Sequence, residues 1–152
     1  MDTILVPLDI SESSPKVLLE AETLAAKLQA KLFLLHVIEP IASYVPVGAS
    51  MDLIASAPPA TGMDAEQTEI AKARLERLAA PLRGKGLDVA CEATFGIPVD
   101  EILDQAATQG ANYLVLGSHG HGALFHLFGG SVVTGVLKRS VCPVVVVPVR
   151  KQ

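Results

Sequence analysis

Five short apolar runs punctuate this chain, and the stretches between them carry apolar residues at helical spacing. The runs are Thr3–Leu8 (TILVPL), Lys31–Ile38 (KLFLLHVI), Leu87–Thr94, Asn112–Leu116 and Val144–Val149 (VVVVPV). Runs that are apolar without alternation suit strands covered on both faces, the condition of a parallel sheet. After the first run, Ser13, Ser14 and Pro15 supply a helix cap and an N1 proline. Val17, Leu18, Ala21, Leu24, Ala25 and Leu28 then fall on one helical face. Strand, helix and strand with short joins imply a parallel, right-handed crossover. A second helix is expected over Asp64–Leu82, with Ile70, Leu75, Leu78, Ala79 and Leu82 inward and Gly84 and Gly86 as its stop. The third strand is less apolar, which suits a place near a sheet edge. A third helix, Val99–Gln109, follows Gly96-Ile97-Pro98, and a fourth runs from Ser131 to about Ser140. Five strands alternating with four helices predict one α/β domain over residues 1–152, a doubly wound parallel sheet with helices on both faces.

The segment from Glu39 to Met63 breaks the pattern. It holds Pro40, Pro46, Pro58 and Pro59 and shows no clear period. A loop this long is either functional or slack, so a flap near a site and a plain connection are both open.

Composition excludes several roles. The formal net charge of −4 leaves no basic footprint for nucleic acid. No apolar stretch reaches the ~18 residues of a membrane span. The start, Met-Asp-Thr, lacks the basic region and cleavage site of a signal peptide. Cys91 and Cys142 have no metal or redox spacing, so buried thiols in a reducing compartment, the cytoplasm, are expected.

The fourth run ends at Gly117 and opens onto a glycine-rich stretch, Gly117-Ser-His-Gly120-His-Gly122, continuing to Gly129-Gly130-Ser131. Strand, glycine loop and helix start is the order that an anion site needs. Glycine lets backbone N–H groups approach without a Cβ in the way, and a helix start adds unpaired N–H groups and partial positive charge. Ser131 can cap the helix or give its hydroxyl to a phosphate. A loop whose glycines serve only turns is the alternative. No Walker Gly-Lys-Ser/Thr occurs, and the dinucleotide fingerprint would follow the first strand instead.

The spacing Gly117, two residues, Gly120, nine residues, Gly130-Ser131 resembles the signature of the ATP-binding branch of the universal stress protein family. The whole chain fits that pattern. The resemblance implies a Rossmann-like sheet of strand order 3-2-1-4-5. In that order strands one and four are neighbours whose connections diverge, and a crevice opens at their carboxyl ends. Asp9 leaves strand one and Gly117 leaves strand four, so the two loops flank one crevice. The resemblance further implies that Pro7 and Asp9 meet the adenine and ribose and that the Val37 backbone reads the adenine edge. It places Gly117, Gly120, Gly130 and Ser131 at the phosphates, with Val132 supplying the next N–H. By itself, an aspartate such as Asp9 serves equally as a turn residue or an N-terminal helix charge.

His119, His121 and His126 share one loop with no cysteine or carboxylate beside them, a poor basis for a metal centre. His119 and His121 are expected to edge the phosphate pocket, with Mg²⁺ or Mn²⁺ held mainly by the phosphates of ATP rather than by the protein. His36 reads as a packed core residue. Leu127 and Phe128, with Phe125, fold over the loop or meet a partner. No Gly-x-Ser-x-Gly elbow or paired carboxylate stands out, and nothing visible orients water or stabilises a transferring phosphoryl. Binding with little or slow hydrolysis is therefore expected, in a regulatory or stress-response role. A nucleotide hydrolase or phosphotransferase on the same fold, and an interaction module without nucleotide, are the alternatives. The last strand, Val144–Val149, would leave an apolar edge open to pairing. The resemblance implies an antiparallel homodimer through it. A further protein partner is not named by the sequence.

Overall fold

The structure, a computed structural model, describes residues 1–11, 14–40, 48, 50–52, 63–118 and 132–149. The elements run β1 (Thr3–Pro7), α1 (Ser14–Leu28), β2 (Lys31–Ile38), α2 (Met63–Gly84), β3 (Val89–Phe95), α3 (Pro98–Thr108), β4 (Tyr113–Gly117), α4 (Val132–Arg139) and β5 (Val144–Val147). All five strands are parallel neighbours in the order β3-β2-β1-β4-β5. This is the order that the resemblance implied, with β3 at one edge and β5 at the other.

The alternation of each strand divides the interior in two. Ile4, Val6, Leu32 and Leu34 face α1 and α2, where they meet Val17, Ala21, Leu75 and Ala79. Leu5, Phe33, Leu35, Leu114 and Leu116 face the other way and meet Ile102, Ala106 and Val136 of α3 and α4. Ile4, Leu5 and Val6 are all 0% exposed, so the central strand is sealed on both faces. Each such side chain contributes about 1.5–3 kcal/mol by leaving water. That explains why the run reads as solidly apolar.

Two expectations change in detail. Ile70 does not face inward; it is 49% exposed, while Ala71 is buried. Ala71, Leu75, Ala79 and Leu82 form the buried stripe of α2, and Ile70 lies one residue, about 100°, off that stripe. β5 stops at Val147 rather than Val149. Pro148 has no N–H to continue the ladder, and the Val149 N–H is donated to Ser118 Oγ at 2.9 Å instead.

A close approach fixes α4 against α3. A Cβ on Gly135 would lie 2.7 Å from Val99 Cγ2, so glycine is what lets the two helices meet at this depth. Arg139 of α4 also reaches Asp100 Oδ1 of α3 at 2.6 Å. α4 follows β4, so its position governs where the helix start stands relative to the sheet.

Candidate functional site

β1 lies between β2 and β4. The connection leaving β1 enters α1 on one face of the sheet, and the connection leaving β4 enters α4 on the other. At such a divergence no chain crosses the carboxyl end of the sheet, and a crevice results. The register Leu5↔Leu114 brings Pro7 and Gly117 to the same carboxyl edge. Pro7 is also level with Leu35 of β2, two residues before Val37. Pro7, Asp9, Val37, Gly117 and Val132 are thus gathered at one end of the fold. His119, Gly120, His121, Gly130 and Ser131 lie outside the described residues, as do His126, Phe125, Leu127 and Phe128.

The strand end that delivers Asp9 is held by two hydrogen bonds to β2. The Leu8 N–H donates to Leu35 O at 2.8 Å, carrying the β1–β2 ladder one residue further. His36 Nδ1 donates to Leu8 O at 2.7 Å, so His36 is half-buried and does structural work by clamping the turn. Ile10 then adopts φ +55°, the left-handed region, which a β-branched side chain enters only under constraint. Asp9 itself is exposed. Its Oδ1 accepts from the Ser11 N–H at 3.1 Å and from Ser11 Oγ at 2.6 Å. Ser11 thereby orients the carboxylate, a role the sequence reading missed. The spacing Asp-x-Ser, typical of a side chain bonded to the backbone two residues on, was its available signal.

Val37, on β2 beside β1, packs on the α3/α4 core. Gly117 ends β4 level with Val147. Ser118 fastens the exit: its N–H donates to Val147 O at 2.8 Å, and its Oγ accepts from Val149. Val132 opens α4, whose first N–H groups have no partner within the helix and carry partial positive charge. Beyond β2, Glu39 holds one carboxylate oxygen buried with no hydrogen-bond partner among the described residues. Burial pushes its pKa up from the ordinary carboxylate value. Among the described residues no group of three or more histidine, cysteine, aspartate or glutamate side chains could hold a metal ion. No helix among them is long and apolar enough to cross a membrane.

This chain belongs to the universal stress protein family, whose model matches residues 1–148. It is 33% identical to universal stress protein YxiE of Bacillus subtilis over 147 residues, 95% of this chain and 97% of that one. It is 38% identical over 80 residues to universal stress protein MJ0577 of Methanocaldococcus jannaschii, an alignment spanning 53% of this chain and about half, 49%, of the archaeal protein. The solved structure of MJ0577 superposes on 99% of this chain and 98% of its own, with a TM-score of 0.77 and 29% identity. Two more distant neighbours share the fold: a universal stress protein in complex with cAMP (TM-score 0.65, 24% identity) and one from Archaeoglobus fulgidus in complex with dAMP (TM-score 0.62, 19% identity). They cover 97% of this chain, and 96% and 98% of their own.

Proposed function

We propose that this protein binds an adenine nucleotide, ATP in particular, in the crevice between the β1 and β4 exits, and that it regulates rather than catalyses. The observation that carries the reading is the convergence of Asp9, oriented by Ser11, with Gly117 and the start of α4 at one switch point. An exposed carboxylate suits vicinal ribose hydroxyls, which donate to it in charge-assisted hydrogen bonds. A strand exit into a helix start suits phosphates. The family neighbours in complex with cAMP and dAMP support an adenine ligand. On this reading Val37 meets the adenine, and Gly120, Gly130 and Ser131 take the phosphates with His119 and His121 at the rim. Mg²⁺ or Mn²⁺ rides on the phosphate oxygens. The protein works as a homodimer paired through the edge of β5, where Val145 is 39% exposed. Its free thiols, Cys91 and Cys142, fit a reducing compartment such as the cytoplasm.

The test is direct. Purified protein is heat-denatured and the released small molecules are identified, and ATP titrations are run by calorimetry on wild type and Asp9→Ala. Adenine nucleotide in the supernatant and a weakened variant support the reading; no release and no heat of binding for wild type overturn it. A single-turnover hydrolysis assay against heat-killed protein separates a regulator from a hydrolase.

A further inference from the structure

A second concavity opens at the carboxyl edge of the sheet, on the α1/α2 side, across β2 from Val37. Its volume is ≈ 200 Å³. Its apolar lining comes from Ile10 after β1, Ile38 of β2, and Ile70 and Ala71 of α2. Gln67 and Arg74 border it from the same helix, about one turn to either side of Ile70 and Ala71. His36 completes it from β2. Because Nδ1 gives its hydrogen to Leu8 O, the neutral ring presents Nε2 as an acceptor. Arg74 is exposed and forms no ion pair among the described residues. A permanently charged guanidinium with no ion pair among the described residues, beside a half-exposed isoleucine, is an arrangement that neither core packing nor helix pairing on α2 requires.

We propose that this cavity is an effector site for a small monocarboxylate carrying a hydroxyl on a single ring or short chain. The carboxylate pairs with Arg74, the hydroxyl donates to His36 Nε2, and the apolar body lies against Ile10, Ile38 and Ile70. Size selects this class. A cavity of about 150 Å³ accepts a benzene ring, whereas drug-sized ligands occupy roughly 300–1,000 Å³. The volume of ≈ 200 Å³ suits one ring. Charge selects the anion, since guanidinium and carboxylate match as planar, bidentate partners. The site stands on the opposite face of β2 from Val37 and does not depend on the nucleotide reading.

The experiment uses the full chain with isotope-labelled isoleucine methyls, titrated with 4-hydroxybenzoate. Shifts at Ile10, Ile38 and Ile70 are expected, saturating with a dissociation constant on the order of a millimolar, as suits a ligand of this size. 4-Hydroxybenzamide and unsubstituted benzoate each bind about tenfold more weakly, and Arg74→Ala costs a similar factor, from losing one hydrogen-bonded partner apiece. Ala71→Met, which fills the cavity, removes the shifts. Ala71 is buried, so the fold of Ala71→Met is checked by circular dichroism, and Arg74→Ala, at an exposed side chain, carries the test if that variant does not fold. The proposal is overturned if the three methyls do not move. It is overturned equally if amide and carboxylate bind alike and Arg74→Ala changes nothing, or if ATP competes with 4-hydroxybenzoate for the same methyls. A wild type that binds 4-hydroxybenzoate at these methyls but no ATP leaves this inference standing and removes the nucleotide reading.

Discussion

Gly135→Ala puts the packing of the crevice wall to a quantitative test. In an ordinary helix interior, glycine to alanine gains about 1 kcal/mol from backbone entropy. Here the new Cβ would meet Val99 Cγ2 at 2.7 Å, Cγ1 at 3.1 Å and Cβ at 3.5 Å. Comfortable carbon contacts lie near 3.5–4.0 Å, so α4 and α3 must part by roughly 1 Å or Val99 must leave its rotamer. Valine in a helix has one strongly preferred rotamer, and overpacking of this kind costs about 1–3 kcal/mol. The clash outweighs the propensity gain, and a net loss of ~1 kcal/mol is expected, about 2–4 °C in melting temperature for a domain of this size. In a Val99→Ala background the clash is gone, and the same substitution should stabilise by ~1 kcal/mol. The double-mutant cycle, read by urea unfolding of all four proteins, then yields a coupling near 2 kcal/mol. Gly135→Ala should also weaken ATP, because the start of α4 moves with the helix. If Gly135→Ala stabilises wild type and Val99→Ala alike, the helices are not held apart by this contact and the argument fails.

Other outcomes follow from the fold and, for Gly130, from the motif alone. Asp9→Ala should weaken ATP by ~1.5–3 kcal/mol, the range for a hydrogen bond to a charged group, with the fold intact; unchanged calorimetry would remove Asp9 from the site. Gly130→Val should abolish measurable ATP binding in a protein that still folds, as followed by circular dichroism beside the titration. Val145→Lys should turn a dimer into a monomer by sedimentation; a lysine at Val147 could not serve for this test, because Val147 is 3% exposed and part of the α1/α2 core. Glu39→Gln tests the buried carboxylate. Its folded pKa is raised above an unfolded value near 4.5, so the stability it contributes is present below that value and lost as pH rises through the folded pKa. The variant should melt above wild type at pH 7 and converge with it at pH 4, and parallel melting curves across that range would refute the burial argument.

The strands were legible because burial on both faces writes itself into composition: TILVPL and KLFLLHVI have no polar face to alternate with. Strand order was not legible from spacing. Nothing in the length of a crossover tells whether the next strand lands beside its predecessor or on the far side of the sheet, and only the family resemblance supplied it. Ile70 misled because an isoleucine was given to the core on hydropathy, whereas the phase of α2 is set by Ala71, Leu75 and Ala79. At the site, Asp9 and Gly117 could be paired from the topology. Ser11, which turns the carboxylate, and Val99, which makes Gly135 necessary, act through contacts that no one-dimensional pattern records. Gly120, Gly130 and Ser131 remain readings of the motif, since they fall outside the described residues.

The turn after β1 ties these pieces together. A β-branched residue in the left-handed region costs on the order of 1–3 kcal/mol, and Ile10 stays there at φ +55°. Three hydrogen-bonded restraints surround it: Leu8 N–H on Leu35 O, His36 Nδ1 on Leu8 O, and the Ser11 N–H and hydroxyl on the carboxylate of Asp9. Together they leave the backbone at position 10 little choice. The outcome is a division of labour between adjacent residues. Asp9 is left exposed beside the crevice, and Ile10 packs against the α1/α2 core and lines the cavity there. A relaxed, extended residue 10 would alter the direction in which the chain leaves Asp9, so the strain at Ile10 sets the aim of the carboxylate.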